Sequence, residues 1–293
     1  MSTRTVCCFP GQGIQRVGMC ADLFDRFPEE TTLASEVLGY SIRDLCLHGP
    51  AEKLADTRFT QPAIYVANAL AWRSRRPDFE PAGALGHSLG EYNALEAAGV
   101  FDFATGLRLV RDRAAATARC TAGGMLAVVG PTTEQLRELL RRAGLDGVDI
   151  ANLNSWRHQV LAGPDEELSA AARELAAAGA RVVTRLAVSG PFHSRYMRSA
   201  ALEFQHAFDG LTFAEPEFPV WSNRTARPHT SADTARLLVD HLTHPVRWRE
   251  CVSAVLDEGA AEFVEVGEST VLTSMIRHIR AEREEGGDDG DRY

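Results

Sequence analysis

Gly86-His87-Ser88-Leu89-Gly90 is the stretch on which the fold and chemistry of this chain turn. A small apolar run, Ala82 to Leu85, precedes it and reads as a short buried strand. Glu91 to Ala98 follows as a good helix opening and stops at Gly99. Strand, Gly-x-Ser-x-Gly, helix is the arrangement of a nucleophile elbow, in which small residues permit a sharp turn that presents the serine hydroxyl at the head of a helix. The free N–H groups of that helix end favour negative charge beside the hydroxyl. The pentapeptide alone also fits an ordinary glycine-rich turn. The flanking patterns tip the balance toward a catalytic serine.

The 293 residues around it suit one large domain, or a large one with a smaller one inserted. A 45% hydrophobic and 24% charged composition is that of a soluble globular enzyme. Acidic residues outnumber basic ones, 40 to 31, which argues against non-specific nucleic-acid binding. The six cysteines show no metal-ligand spacing, and Cys7-Cys8, inside the apolar run Val6 to Phe9, read as small core residues; no metal is expected. There is no signal-peptide layout and no apolar run of membrane-spanning length, so a cytoplasmic protein with reduced thiols and no membrane contact is expected; a monomer is expected as well.

Val6 to Phe9 reads as a first strand, ending in Pro10-Gly11-Gln12-Gly13. Helical periodicity runs through Met19 to Phe27, again from Glu36 to Leu47, and over Gln61 to Trp72. After the elbow, Asp102 is placed to cap a helix that reaches about Arg119. From Gly124 the pattern changes to strand Met125–Val129, helix Glu134–Ala143, strands Val148–Asn152 and Gln159–Ala162, helix Glu166–Ala178 and strand Arg181–Val188. That β-α-β-β-α-β order suits a ferredoxin-like unit. The chain then returns to α/β character, with a strand at Val220-Trp221-Ser222, a helix from Ala232 to Leu242, a strand from Glu262 to Val266 and a last helix to about Arg280. The expected fold is therefore α/β: a large α/β-hydrolase-like domain with a parallel sheet, residues 1–123 and 192–281, carrying an inserted small ferredoxin-like α+β domain, residues 124–191. Residues 282–293, rich in Gly and Asp, are expected to be a disordered acidic tail.

A serine hydroxyl needs a base within hydrogen-bond reach. Of nine histidines, His87 should point away from the hydroxyl at an elbow, whereas His193 lies in a Gly-Pro loop, Ser189 to Ser194, just after a predicted strand. Loops at strand ends are where such a base belongs, although a lone loop histidine is often mere surface. Acyl transfer also needs donors for the oxyanion. One is the main-chain N–H after the nucleophile, Leu89, and the other a loop after an earlier strand, for which Pro10-Gly11-Gln12-Gly13 is the candidate.

Six segments carry a resemblance: Phe9-Pro10-Gly11-Gln12-Gly13, Thr60-Gln61-Pro62-Ala63, Gly86 to Glu91, Ala151-Asn152-Leu153-Asn154-Ser155, Pro191-Phe192-His193-Ser194 and Pro245-Val246-Arg247-Trp248. In this order they resemble the malonyl-CoA:acyl-carrier-protein transacylases, over about Val6 to Ile279. Gly39 to Ile42, Ser222 to Pro228 and Val271-Leu272-Thr273 look most like the free-standing acyltransferases that serve polyketide synthases without an acyltransferase domain of their own.

The resemblance implies Ser88 as nucleophile, His193 as base, and the main-chain N–H groups of Gln12 and Leu89 as oxyanion hole. The family orients its histidine with a main-chain carbonyl, which here matches His241, where Gln is usual; a main-chain acceptor tolerates that change. The arginine that clamps the substrate carboxylate matches Arg113. Periodicity does not make this choice, since Arg111 and Arg113 flank the inward face of Phe103, Leu107, Val110, Ala114 and Thr117 on opposite sides while Arg108 points to solvent. Gln61 and Asn154 are further substrate-binding positions, and Phe192 before the histidine is the form associated with malonyl, its ring opposing a methyl branch.

The implied reaction is ping-pong transfer of malonyl from malonyl-CoA to the phosphopantetheine thiol of an acyl carrier protein, with no cofactor of the enzyme's own. Alternatives are an acyl hydrolase clearing stalled carriers, a transferase for ethylmalonyl or methylmalonyl, and an inactive docking module. An acidic carrier calls for a local basic patch, for which Arg195, Arg224, Arg227 and Arg247 are candidates, each otherwise a solvated surface arginine. The chain departs from the family at Ile14, at His244, at Gly190-Pro191 and at Trp156-Arg157-His158. Trp156 and Arg157 either cap the inserted unit or reshape the acyl pocket and pantetheine path.

Overall fold

The computed structural model describes residues 4–76, 80–259 and 261–286. In chain order the first elements are β1 (Arg4–Phe9), α1 (Ala21–Arg26), α2 (Pro28–Leu38), α3 (Ile42–His48), α4 (Ala51–Ala55), α5 (Thr57–Arg75), β2 (Gly83–Gly86), α6 (Gly90–Ala97) and α7 (Phe103–Thr117). A middle set follows: β3 (Gly124–Val129), α8 (Thr133–Arg142), β4 (Asp149–Leu153), β5 (His158–Gly163), α9 (Asp165–Ala177) and β6 (Val182–Arg185). The last are α10 (Arg198–Phe204), β7 (Val220–Trp221), α11 (Thr234–Asp240), α12 (Trp248–Asp257), β8 (Ala261–Glu265) and α13 (Val271–Gly286).

Side chains alternate along β1. Cys7 and Phe9 enter the core beneath α5, α6 and α7, while Val6 and Cys8 enter a second core beneath α12 and α13. A strand covered on both faces must be apolar throughout, which is why two adjacent cysteines serve as packing residues. The strands β7-β2-β1-β8 form a sheet, with β2 and β8 both parallel to β1 and β7 parallel to β2. The middle set forms a second sheet, β4-β5-β3-β6, antiparallel throughout, the order of a ferredoxin-like unit. Its outer face packs on α8 and α9 through Leu126, Leu136, Leu161 and Leu168. Its other face, with Met125, Ala151, Val160 and Ala162, turns toward Phe192. The architecture is thus the expected α/β fold with a small α+β unit.

Local chemistry explains most boundaries. Asp102 caps α7, its carboxylate accepting from the Thr105 N–H at 2.7 Å, and Thr132 with Gln135 forms a capping box on α8. The helix expected over Glu36–Leu47 is two helices. Gly39, at φ 75°, ends α2, and Ser41 caps α3 by accepting from the Asp44 N–H at 3.1 Å. The strand expected over Arg181–Val188 pairs only from Val182 to Arg185. Helix α12 is missing from the expectations, although Trp248, Cys251, Val252 and Val255 repeat at helical spacing and are buried.

The last helix also runs past the expected end at Arg280, to Gly286. Glu282, expected in a disordered tail, accepts from Ser155 Oγ at 3.0 Å and from the Trp156 N–H at 2.7 Å. These bonds give the extra turn a tertiary anchor. The rest of the expected tail, 287–293, lies outside the described residues.

The carboxyl ends of β1, β2 and β7 deliver Pro10–Gly13, His87–Leu89 and Ser222–Asn223 to one edge of the parallel sheet, where open α/β sheets bind ligands. Two glycines make the approach possible. A Cβ on Gly11 would stand 2.6 Å from the His87 carbonyl oxygen, and one on Gly90 would run into the carbonyl of Phe9.

Candidate active site

Ser88 occupies the tight turn between β2 and α6 with φ at 52°, a left-handed conformation that points its side chain out of the sheet. Its hydroxyl lies 2.6 Å from His193 Nε2. His193 Nδ1 lies 2.9 Å from the His241 carbonyl oxygen. A carbonyl can only accept, so Nδ1 carries the proton, and Nε2 of the neutral ring is free to accept from the Ser88 O–H. Burial, then the neighbouring His241 and Arg113, hold the His193 pKa well below the usual imidazole value. The ring is therefore neutral at pH 7, the state a base needs.

Arg113 is 4% exposed on α7. One guanidinium nitrogen donates to Gln61 Oε1, and the other donates to Ser88 Oγ at 3.2 Å. Gln61 is held in turn, its Nε2 donating to Thr57 Oγ1 at 2.8 Å and to Thr117 Oγ1 at 3.1 Å. Among the described residues no carboxylate lies within ion-pair distance of Arg113. Arg108 is exposed, and Arg111 bonds Asp112 and the Val37 carbonyl, away from the serine.

The main-chain N–H groups of Gln12 and Leu89 meet no protein acceptor among the described residues. Phe192 bridges the main core and the inner face of the small sheet. Asn154, expected at the substrate, lies behind the elbow with its Oδ1 2.9 Å from His87 Nε2, and His87 packs on Trp248. A groove of about 520 Å³ reaches His193, lined also by Arg137, Leu140, Ile150, Leu153 and Pro245.

Two groups around the site were not singled out by the sequence. Asn223, after β7, accepts from the Ser88 N–H at 2.8 Å and donates to the Gly86 carbonyl at 2.7 Å, so one side chain grips both sides of the turn. Glu91, fully buried in the first turn of α6, accepts from His229 Nε2 at 2.7 Å and lies 3.2 Å from His241 Nδ1. Burial alone would raise its pKa, but His229 and His241 overcome this and hold it at about 2. Both residues sit inside quoted motifs; what no motif shows is that positions more than 130 apart meet.

Trp156 and Arg157 take their places on the inserted unit. The Arg157 guanidinium donates to the Gly130 carbonyl at 3.0 Å, Gly130 N–H donates back to the Arg157 carbonyl at 2.9 Å, and Arg249 stands 5.1 Å over the Trp156 ring. Of the candidate basic patch, Arg195 is gripped by Asp149 at 2.9 Å and Arg247 by Glu250, so their charges are already matched; Arg227 is exposed and Arg224 half-buried. Among the described residues no His, Cys, Asp and Glu cluster could hold a metal ion, and no helix is long and apolar enough to cross a membrane.

Known proteins are similar to this chain in sequence and fold. The model of the acyl transferase domain family matches residues 6–288. The polyketide biosynthesis malonyl CoA-acyl carrier protein transacylase PksC of Bacillus subtilis is 44% identical over 279 residues, 94% of this chain and 97% of that protein. Another curated relative is much longer, and the chain spans 24% of its length. A malonyl CoA-acyl carrier protein transacylase from Burkholderia pseudomallei superposes with a TM-score of 0.92 at 41% identity, covering 96% of this chain and 99% of that one. A malonyl-transacylase solved with its type II polyketide acyl-carrier protein (PlMCAT:AntF) gives a TM-score of 0.89 at 36% identity, covering 94% and 93%. By this evidence the chain belongs to the acyl transferase domain family and, within it, to the malonyl-CoA:acyl-carrier-protein transacylases.

Proposed function

We propose that the chain moves a malonyl group from malonyl-CoA to the phosphopantetheine thiol of an acyl carrier protein in polyketide or fatty acid biosynthesis, through an acyl-serine on Ser88. The observation that carries this is Arg113: a buried guanidinium without a carboxylate partner, 3.2 Å from the candidate nucleophile. A buried cation beside a reacting hydroxyl, with no carboxylate in ion-pair contact, attracts an acyl group that brings its own carboxylate. Acetyl and long-chain acyl groups have none to offer.

In this mechanism His193 Nε2 takes the Ser88 proton as Oγ attacks the thioester carbonyl. The N–H groups of Gln12 and Leu89 receive the oxyanion, and the His241 carbonyl holds the imidazolium through Nδ1. Collapse expels the coenzyme A thiol, protonated by His193. The carrier's thiol, entering along the groove at His193, then gives its proton to the same ring and attacks the malonyl-serine. Gln61 keeps Arg113 extended toward the malonyl carboxylate, and the Phe192 ring opposes a branched α-carbon. No cofactor takes part. We place the enzyme in the cytoplasm as a monomer, in keeping with six free cysteines, five of them buried.

Intact-mass spectrometry with malonyl-CoA tests this. Wild type should gain one malonyl, Ser88→Ala none, and Arg113→Ala far less malonyl with a shift toward acetyl. Rapid release of malonyl to water, without transfer to a carrier, would instead make the protein a hydrolase. Equal loading of methylmalonyl or ethylmalonyl in a competition would remove the malonyl assignment.

A further inference from the structure

A carboxylate with no solvent exposure is costly unless its partners repay the burial. Glu91 is such a group, three residues past Ser88 in the first turn of α6, and its partners run in two directions. Oε1 accepts from the Asn223 main-chain N–H at 3.2 Å, and the Asn223 side chain grips the Ser88 turn. The same oxygen accepts from His229 at 2.7 Å. The other oxygen lies 3.2 Å from His241 Nδ1, a close polar contact outside hydrogen-bond alignment. His241 in turn offers its carbonyl to His193 and lays its ring against the His193 ring, centroids 4.5 Å apart and tilted 34°.

We propose that Glu91 is a positioning residue for acyl transfer, registering nucleophile and base from one buried carboxylate, through Asn223 on Ser88 and through His241 on His193. The proposal rests on the transferase function above. Its second consequence is electrostatic. The Arg113 guanidinium and the His87 and His241 rings that face His193 all disfavour a positive charge on it, and only the hydrogen bond to the His241 carbonyl favours one. Glu91 is faced by His229, His241, Arg113, Tyr92 and Cys251, and it supplies a full negative charge one ring behind the base. It therefore eases formation of the imidazolium while the acyl-serine forms, from one ring behind the position in which the third acid of a serine hydrolase contacts its base directly.

The test compares wild type with Glu91→Gln, His241→Gln and the double variant, by single-turnover malonyl loading and the pH profile of kcat/KM. Glu91→Gln should load about 10- to 100-fold more slowly, the effect of a small misplacement of reacting groups, with KM for malonyl-CoA nearly unchanged. Its acid limb should move to lower pH by about half a unit or more, because an imidazolium without the nearby anion is less stable. His241→Gln, which keeps the carbonyl and removes the ring, should lose less, and the double variant no more than Glu91→Gln alone. Wild-type rates in Glu91→Gln, or slow loading with an unmoved acid limb, would overturn the proposal. If Glu91→Gln does not fold, the same readouts on His241→Gln decide: an unmoved acid limb with wild-type loading overturns it. A wild-type enzyme that takes no malonyl overturns the transferase function and this inference together, whereas normal loading in every variant overturns this inference alone.

Discussion

Ser88 and His193 both hold left-handed backbone conformations, at φ 52° and 57°, while their side chains meet across 2.6 Å. For residues with a Cβ that conformation costs about 1–2 kcal/mol each. Their surroundings over-determine it: Asn223 grips the Ser88 turn, and the His241 carbonyl and Ser88 hydroxyl hold both ring nitrogens of His193. Strain kept at two facing residues by non-local contacts is characteristic of functional sites.

With His193 as the proposed base, its depressed pKa should set the acid side of the pH profile. A lowered pKa means that the neutral base persists as the pH falls. Activity is lost only when the pH drops through that lowered value. Malonyl loading should therefore stay flat through about pH 6.5, the ordinary imidazole value, and decline below it. An acid limb at or above that value in kcat/KM against pH would contradict the geometry.

In the proposed mechanism Gln61 acts on the substrate through Arg113, to which it is hydrogen-bonded. Gln61→Leu removes one acceptor from a buried guanidinium, a loss of about 1.5–3 kcal/mol for a bond to a charged group, or roughly 10- to 100-fold. The loss should appear in kcat/KM for malonyl-CoA and much less with acetyl-CoA. Arg113→Lys should fare worse with malonyl-CoA, because a point charge cannot satisfy Gln61 and a carboxylate in fork geometry. Steady-state kinetics with both thioesters checks both variants.

Asn223→Ala strands a partly buried N–H at Ser88 and a buried carbonyl at Gly86. Unsatisfied buried groups cost about 1–3 kcal/mol each. A chain of this size should then lose roughly 2–10 °C in Tm while loading malonyl about 100-fold more slowly. Calorimetry and intact-mass time courses on one preparation measure both, and unchanged loading would show that the turn holds without its clamp.

Glu282 ties the last turn of α13 to Ser155 and Trp156 on the inserted unit. Ending the chain after Ala281 removes these two bonds together with those of Arg283 to Asp257 and to the Ser253 carbonyl, and should lower Tm by about 5–10 °C. A chain ended after Gly286 is the comparison, since it keeps Glu282 and Arg283. Equal Tm values for the two truncations would show that the anchor adds no stability.

Local rules carried the sequence far. Glycine spacing at 86 and 90, a buried run before them and a helix after them specify a sharp turn with an exposed hydroxyl, because each requirement acts within a few residues. The antiparallel unit was legible for the same reason, from alternating strand and helix periods with Gly stops at 144 and 179. Helix ends depending on one cap, such as the break at Gly39, were misread where periodicity continued across them.

The sequence by itself determined most of the segments that become strands and helices, and that a serine stands at a strand's end, since backbone conformation and burial pattern are largely short-range properties. Only the tertiary structure decided which of three arginines on α7 turns inward, that Asn223 grips a turn 135 positions earlier, and that Glu91 meets His229 and His241. Those outcomes depend on how strand ends and helices converge in space, where the cost of burying a charge selects its partners from the whole chain.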